Sequence, residues 1–551
     1  MSLFEKHNEI LDRAVKAIRE RSFYAAYPDN PKAFSEDAPA QGLETFQGLL
    51  NKNFDLEAQR SPLHWLGEEV SPYTNEPLGV LYPVYSVEDL VSNSKIAFHT
   101  WRKISPSERA GLLVESLERM KAHFFDIASA TQHTTGQSWI MSFQASGPHA
   151  ADRALEAIAM GYAELTRFPE KVMWEKPMGK SSVRLEKTLQ PVPKGISLVI
   201  GCSTFPVWNS LPGIYASLVT GNSVIVKPHP RSVLPIAICV SLLQQTLAAN
   251  GYDPSIVQLA ADTSSSQNTK EIASHPYITL IDYTGSSSFG NYIESLPGKT
   301  TFTEKAGINA VIIDSVKDLD AALQNLAFSV SLYSGQMCTA PQNFFIPETV
   351  RAGDQVLSFD VVAAKLKEAI SGLVSNPKMG SGVLGAIQNE ETLERAQHTG
   401  SRGKKIWLEP MAVKNDEFLN ARTISPLLME ADSADAQLFE NELFGPVSIV
   451  IKTKNTVEAL RLAKELAAEH GAITCAAYTT NDSVMKMICD EMNEVFVPVT
   501  FNLTGPYWVN QHAAFSDFHV TGGNPAGNAS LVNPEFVIKR FVWVGNRNMI
   551  A

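Results

Sequence analysis

Three stretches in the middle of the chain share one plan: an apolar run, a turn of small or rigid residues, then a helical pattern. They are SLVIGCSTFPVWNS (197–210), NSVIVKPHPRSV (222–233) and ITLIDYTGSSSFGNYI (278–293). Strands alternating with helices at this spacing predict a parallel α/β sheet. In such a sheet ligands bind beyond the carboxyl ends of the strands, so the turns after these runs are where chemistry is expected. Residues 304–505 alternate again, with SPLLME, FGPVSIVIKT, ITCAAYTT and FVPVTFN as strands. No GxGxxG fingerprint occurs; Gly285-Ser-Ser-Ser-Phe-Gly290, at a strand-to-helix turn, is the nearest feature.

Around this centre the pattern changes. Residues 1–30 carry Ile10, Leu11, Ala14, Ala17 and Ile18 at helical spacing, and Pro28, Pro31 and Pro39 then break the pattern. Residues 88–165 read as a long helical stretch. Residues 181–200 alternate and then become continuously apolar, predicting a protruding strand followed by a buried one; VIKRFVWV (537–544) alternates similarly and would pair with the first or with a neighbouring subunit.

At 551 residues the chain is long enough for three or four domains. A net charge of −12 excludes a general binder of nucleic-acid backbones. The five cysteines (Cys202, Cys239, Cys338, Cys475 and Cys489) are widely spaced with no CxxC pair, the usage of a reducing compartment. The N-terminus lacks a signal-peptide core and no apolar run reaches membrane-spanning length, so a cytoplasmic globular enzyme is expected. The twelve histidines form no HExxH or similar pair, and no catalytic metal is expected.

Two segments carry candidate chemistry. YSGQMCTAPQ (333–342) presents Cys338 in a turn of small residues, and TFTEKAGINAVII (301–313) places Glu304 before a glycine-containing turn and a strand. A thiol paired with a carboxylate base is an arrangement for covalent catalysis. Read singly, each has a plainer explanation: a buried cysteine, and a solvated carboxylate beside Lys305. Together, EKAGINAVII and SGQMCTA, with Glu304 and Cys338 34 residues apart, resemble the glutamate and cysteine motifs of the aldehyde dehydrogenase superfamily. The similarity extends over nearly all of the chain after about residue 65.

The resemblance implies an aldehyde dehydrogenase-like α/β fold with two Rossmann-like parallel-sheet domains and a β oligomerisation arm. Its expected parts are an N-terminal extension (1–65), a cofactor domain (66–180 and 196–303), a catalytic domain (304–505) and the arm (181–195 and 535–551). The extension would cover a substrate entrance or a subunit contact, or be a packed surface addition. Cys338 would add to an aldehyde and Glu304 would act as base, first for the thiol and later for the water that releases the acid. The family's oxyanion asparagine is replaced by Thr204: the interval from Thr204 to Asn222 is the family's, whereas that from Asn209 is not. Cofactor contacts implied are Ser203, Lys227, Pro230, Gly285, Ser286, Gly290, Glu442 and Phe444. Pro230 stands where NAD-preferring members carry an acid, with His229 and Arg231 beside it, so NADP is favoured over NAD. Ser516 and Asp517 replace two glycines of a C-terminal loop, and Phe205, Trp208 and Phe515 are equally channel or core residues.

The extension, Thr204 and the altered loop together resemble the phenylacetate-degradation (PaaN-type) branch. This implies oxidation of a semialdehyde, free or CoA-linked, by a homodimer or homotetramer without nucleic-acid or membrane partners. Two alternatives stay open: a thiol hydrolase needing no cofactor, and a catalytically silent binding protein.

Overall fold

The computed structural model describes residues 1–57, 61–505, 507–508 and 514–550. Two parallel sheets organise it. The first has five strands in the order Val257–Leu259, Ser223–Lys227, Ile196–Ile200, Ile278–Thr284, Thr300–Glu304, all parallel. The three strand-turn-helix units thus supply its centre, and Thr300–Glu304 forms one edge. The second has seven strands in the order Lys405–Leu408, Leu427–Asp432, Val447–Thr453, Asn343–Pro347, Ala310–Ile313, Cys475–Tyr478, Val499–Phe501. Only Lys405–Leu408 runs antiparallel. The architecture is the α/β arrangement of two parallel-sheet units and a separate arm that the sequence predicts.

The helical reading of 88–165 resolves into five helices: Val87–Trp101, Pro106–Lys121, Phe124–Thr135, Trp139–Ser146 and Pro148–Leu165. The breaks have local causes. Ser105 caps the second helix, accepting from the Glu108 N–H, and Pro106 occupies its first position, where a missing N–H costs nothing. Gly136 ends the third helix in the left-handed region, and Gly147-Pro148 starts the last.

The arm is a three-stranded antiparallel sheet of Phe541–Met549, Ser181–Pro193 and Lys171–Met178. It begins ten residues before the boundary expected from sequence, because 171–178 pairs with 181–188 across a hairpin. Its root is an ion pair: Arg540, fully buried, makes a bidentate contact with Asp282 of the interior strand Ile278–Thr284, at 2.8 and 2.5 Å.

The N-terminal segment is a packed addition. Its first helix, Leu3–Glu20, opens with a Ser2/Glu5 capping box and buries Leu11, Ala14 and Ala17 against Pro106–Lys121 and Pro148–Leu165. These side chains, with Tyr27 and Phe46, join the largest hydrophobic core of the molecule. Among the described residues no helix is long and apolar enough to cross a membrane.

Candidate active site

Cys338 is delivered by an unusual turn. The helix Leu319–Ser331 runs into Leu332–Gly335, where Tyr333, Ser334 and Gly335 all adopt left-handed conformations (φ 52°, 50° and 62°). Such angles are costly for side chains other than glycine and persist only when neighbours impose them. Here the Tyr333 hydroxyl donates to the Thr135 carbonyl at 2.6 Å and the Ser334 hydroxyl to that of Leu384 at 3.0 Å. At Gly335 a Cβ would meet the Gly445 carbonyl oxygen at 2.5 Å, so this position also requires glycine for space. Asn309, from the glutamate segment, fixes the far side: its amide donates to the carbonyls of Cys338 and Ala340 at 2.8 and 3.0 Å. Its oxygen accepts from the N–H groups of Ile473 and Thr474.

Glu304 ends the edge strand Thr300–Glu304 and is buried. The two sequence candidates therefore meet, and two further residues join them. His519 Nε2 lies 3.2 Å from Glu304 Oε1 and 4.0 Å from Cys338 Sγ, and the Asn209 amide donates to Glu304 Oε2 at 3.3 Å. One atom from each of Cys338, Glu304 and His519 falls within 4.8 Å of the others, close enough to hold a metal ion. Short histidine motifs could not reveal this group, because 181 residues separate Cys338 from His519. Burial alone would raise the Glu304 carboxyl. The facing His519 and the hydrogen bonds from His519 and Cys338 outweigh it and hold Glu304 below the ordinary carboxylate range. Burial, and then the Glu304 charge, push the Cys338 thiol well above its usual range, so the thiol is protonated at neutral pH.

Two cavities meet at the thiol. One, of about 350 Å³, is lined mainly by apolar and aromatic groups including Met141, Phe205, Trp208, Phe328 and Trp508. The other, of about 520 Å³, is the more polar of the two and runs over the carboxyl ends of the five-stranded sheet. Cys338, Asn209 and Phe205 line both. Phe205 and Trp208 are thus channel residues. Phe515 is not: it is fully buried, its ring 5.1 Å from Tyr24 of the extension.

The polar cavity collects most expected cofactor contacts: Ser203, Lys227, Pro230, Gly285, Ser286, Glu442 and Phe444, together with Thr204 and Glu304. Gly290 lies one turn into the helix Ser287–Ser295, outside that lining, where a Cβ would strike the Lys305 side chain at 2.5 Å. Thr204 is buried and its carbonyl accepts from the Gln137 amide at 2.8 Å. Asn209, out of register by interval, enters the site from the second turn of the helix Pro206–Val219. Glu442 is pushed up to about 7 by burial, against the Gly307 N–H and the Arg395 charge.

Around Lys227 two premises taken from sequence change. Lys227 Nζ is paired with the buried Asp262 at 2.7 Å and also donates to the Pro228 carbonyl. Burial and the Lys227 and Arg231 charges push the His229 imidazole down to about 4, leaving it neutral at physiological pH. An acid is present after all, supplied by the segment after Val257–Leu259 rather than by position 230.

Fold and site define a class of α/β enzyme with a partly buried thiol beside a buried carboxylate where two cavities meet. The chain belongs to the aldehyde dehydrogenase family, which it matches over residues 67–523. It is 42% identical to an NAD-dependent aldehyde dehydrogenase from Burkholderia multivorans of known crystal structure, covering 100% of this chain and 99% of that one with a TM-score of 0.97. It is 25% identical to 1-pyrroline-5-carboxylate dehydrogenase 1 of Halalkalibacterium halodurans, over 79% of this chain and 81% of the relative. It is also 25% identical to the NADP-dependent glyceraldehyde-3-phosphate dehydrogenase of Streptococcus equinus, over 77% of this chain and 84% of the relative.

Proposed function

We propose that the chain oxidises an apolar, aromatic-type aldehyde to its carboxylic acid with a nicotinamide dinucleotide, through a thioester on Cys338. The observation that carries this reading is the position of the thiol, at the junction of an apolar cavity and a polar cleft and facing a buried carboxylate. The cleft fits the cofactor by its donor set: an ammonium at a strand end, the start of the helix Ser287–Ser295 toward a pyrophosphate, and Glu442 and Phe444 near the thiol. Bound there, the nicotinamide supplies the hydride acceptor.

The chain's own groups do the rest. The apolar cavity holds the aldehyde and excludes water. Glu304 takes the thiol proton, and sulfur attacks the carbonyl to give a thiohemiacetal. The developing oxyanion faces the Thr204–Asn209 side of the site. After oxidation Glu304, having passed the thiol proton to solvent, takes a proton from the water that cleaves the thioester. Glu304→Gln is therefore expected to give a first turnover stoichiometric with sites, followed by steady-state turnover slower by roughly 10²–10⁴-fold. Stopped-flow measurement of reduced nicotinamide reads both phases, and the absence of a burst would remove Glu304 from deacylation.

The phenylacetate-degradation (PaaN-type) branch, with a semialdehyde of aromatic catabolism as substrate, is the finer assignment we propose. The aromatic lining of the apolar cavity and the integrated N-terminal extension support it. NAD rather than NADP is the cofactor we infer. The Asp262 carboxylate neutralises Lys227 where a 2′-phosphate would need free positive charge, and His229 adds none. Asp262→Asn is expected to raise kcat/KM for NADP about tenfold relative to NAD, worth ~1.4 kcal/mol. Equal ratios in variant and wild type would dismiss Asp262 as the determinant. Association into a homodimer or homotetramer through the arm is supported by the exposed Met173, Trp174, Met178, Val542, Val544 and Met549.

A further inference from the structure

Cys338 and Glu304 account for the expected chemistry, yet a third functional group lies against both. His519 is 4% exposed and sits in a segment with no histidine motif. Its place is built from several directions. Its N–H donates to the Leu531 carbonyl and its carbonyl accepts from the Leu531 N–H, each at 3.2 Å. Its ring packs edge-on against Trp208 with centroids 4.8 Å apart. The preceding residues are braced by the N-terminal extension: Arg21 donates to the Ser516 carbonyl at 3.1 Å and lies 3.9 Å over the Phe518 ring, while Tyr24 packs on Phe515. A few residues further on, Gly527 bridges to Glu304 and Lys305 N–H donates to the Ala526 carbonyl at 2.6 Å. The strand end bearing Glu304 and the loop bearing His519 are thus stitched together.

We propose that His519 is a positioning residue for Cys338 activation: its Nε2–H holds the Glu304 carboxylate against the thiol and then stabilises the thiolate. The inference rests on the reading of Cys338 as nucleophile. Only Nε2 faces the pair, 3.2 Å from Glu304 Oε1 and 4.0 Å from Sγ, so one N–H serves both acceptors in turn. Before transfer the carboxylate carries the negative charge and receives the N–H. The S–H bond then breaks and an O–H bond forms on Glu304, leaving a neutral acid and a thiolate. The Nε2–H turns to the sulfur, now the stronger acceptor. The donor follows the charge, which lowers the cost of making a thiolate in a buried site where the thiol would otherwise stay protonated.

Other charges face this group from the elements packed on it. Arg153, on the helix Pro148–Leu165, lies 5.4 Å from the Trp208 ring, lowers Glu304 and is ion-paired with Glu156 at 2.5 Å. Cys202 and Glu442 both act on Cys338, and Asp517 lies two residues before His519. Cys202 is itself raised to about 12 by burial and is uncharged at neutral pH.

The test is the pH profile of Cys338 alkylation by iodoacetamide, read by peptide mass spectrometry, without nicotinamide or aldehyde. His519→Leu removes the donor and His519→Gln returns a neutral one. The leucine variant is expected to react tenfold or more slowly at pH 7 with an apparent thiol pKa at least one unit higher, the limiting rate at high pH being retained. The glutamine variant is expected to recover most of the loss. Superimposable profiles for wild type and His519→Leu would overturn the proposal. So would equal defects in both variants when each melts like wild type, because that pattern marks a packing role. If His519→Leu does not fold, the smaller His519→Ala, which also lacks a donor, takes its place. Because alkylation needs neither cofactor nor aldehyde, a His519-dependent profile in a protein that oxidises no aldehyde would defeat only the functional reading. Normal oxidation with a His519-independent profile would defeat only this inference.

Discussion

Cys338→Ala is expected to lower aldehyde oxidation by about 10⁴-fold or more while leaving nicotinamide binding intact. The size follows from the geometry. Cys338 is the sulfur nucleophile at the junction of the two cavities, and the nearest other thiol, Cys202, faces Asn209 at 3.7 Å and is raised by burial. Removing a covalent nucleophile removes the whole two-step path, and what survives is the contribution of binding alone. The alanine also removes one charge-sensitive neighbour of Glu304 without opening a large cavity, so folding should be nearly unaffected. The measurement is steady-state formation of reduced nicotinamide, with cofactor binding followed by fluorescence and folding by melting temperature. Residual oxidation above about 1% of wild type would show that sulfur addition is not the route. Loss of cofactor binding along with turnover would make Cys338 part of the cleft's architecture.

Arg540→Ala is expected to be the most destabilising single change outside the site. The guanidinium is fully buried and bonds Asp282 twice, the Ser217 hydroxyl at 2.8 Å and the Phe536 carbonyl at 2.8 Å, while lying 4.0 Å over Phe302. Truncation strands the Asp282 carboxylate in the middle of the five-stranded sheet, a kind of change that costs roughly 3–5 kcal/mol. In a chain of this size, melting as one unit, that corresponds to a fall in melting temperature of about 3–4 °C. The double variant Asp282→Leu with Arg540→Met is expected to recover much of the loss, since no charge is then left unpaired. A melting temperature within 2 °C of wild type for Arg540→Ala would show that water reaches Asp282 and that the arm's root is not a buried ion pair.

These two residues differ in how they could be read from sequence. Cys338 is legible because Glu304 lies in a second motif at an interval that resembles that of the aldehyde dehydrogenase family; neither residue announces its role singly. Arg540 reads only as a charge in an alternating strand, and nothing local announces that its head enters another sheet. The same contrast runs through the site. Ser203, Lys227, Gly285 and Ser286 follow strands of a parallel sheet, and topology alone places such turns at one edge. Gly290 is ambiguous in sequence because a glycine one turn into a helix can serve either a ligand or a close neighbour, and only the packed structure shows Lys305 lying against it. The partner of Lys227 is not legible in sequence, since Asp262 follows the next strand in space, 35 residues on along the chain.

What the sequence determined is what short-range physics controls. The alternation of apolar runs and helices fixed two parallel sheets, the serine and proline caps fixed the helix breaks, and two motifs fixed the thiol and the carboxylate. What only the tertiary structure decided is which distant groups share a dielectric. Asn209 comes from the second turn of a helix, Asp262 from a neighbouring strand and His519 from a C-terminal loop braced by the N-terminal extension. Their ionisation and their hydrogen bonds depend on separations of 3–4 Å created by packing, and no periodicity or interval along the chain encodes such a distance.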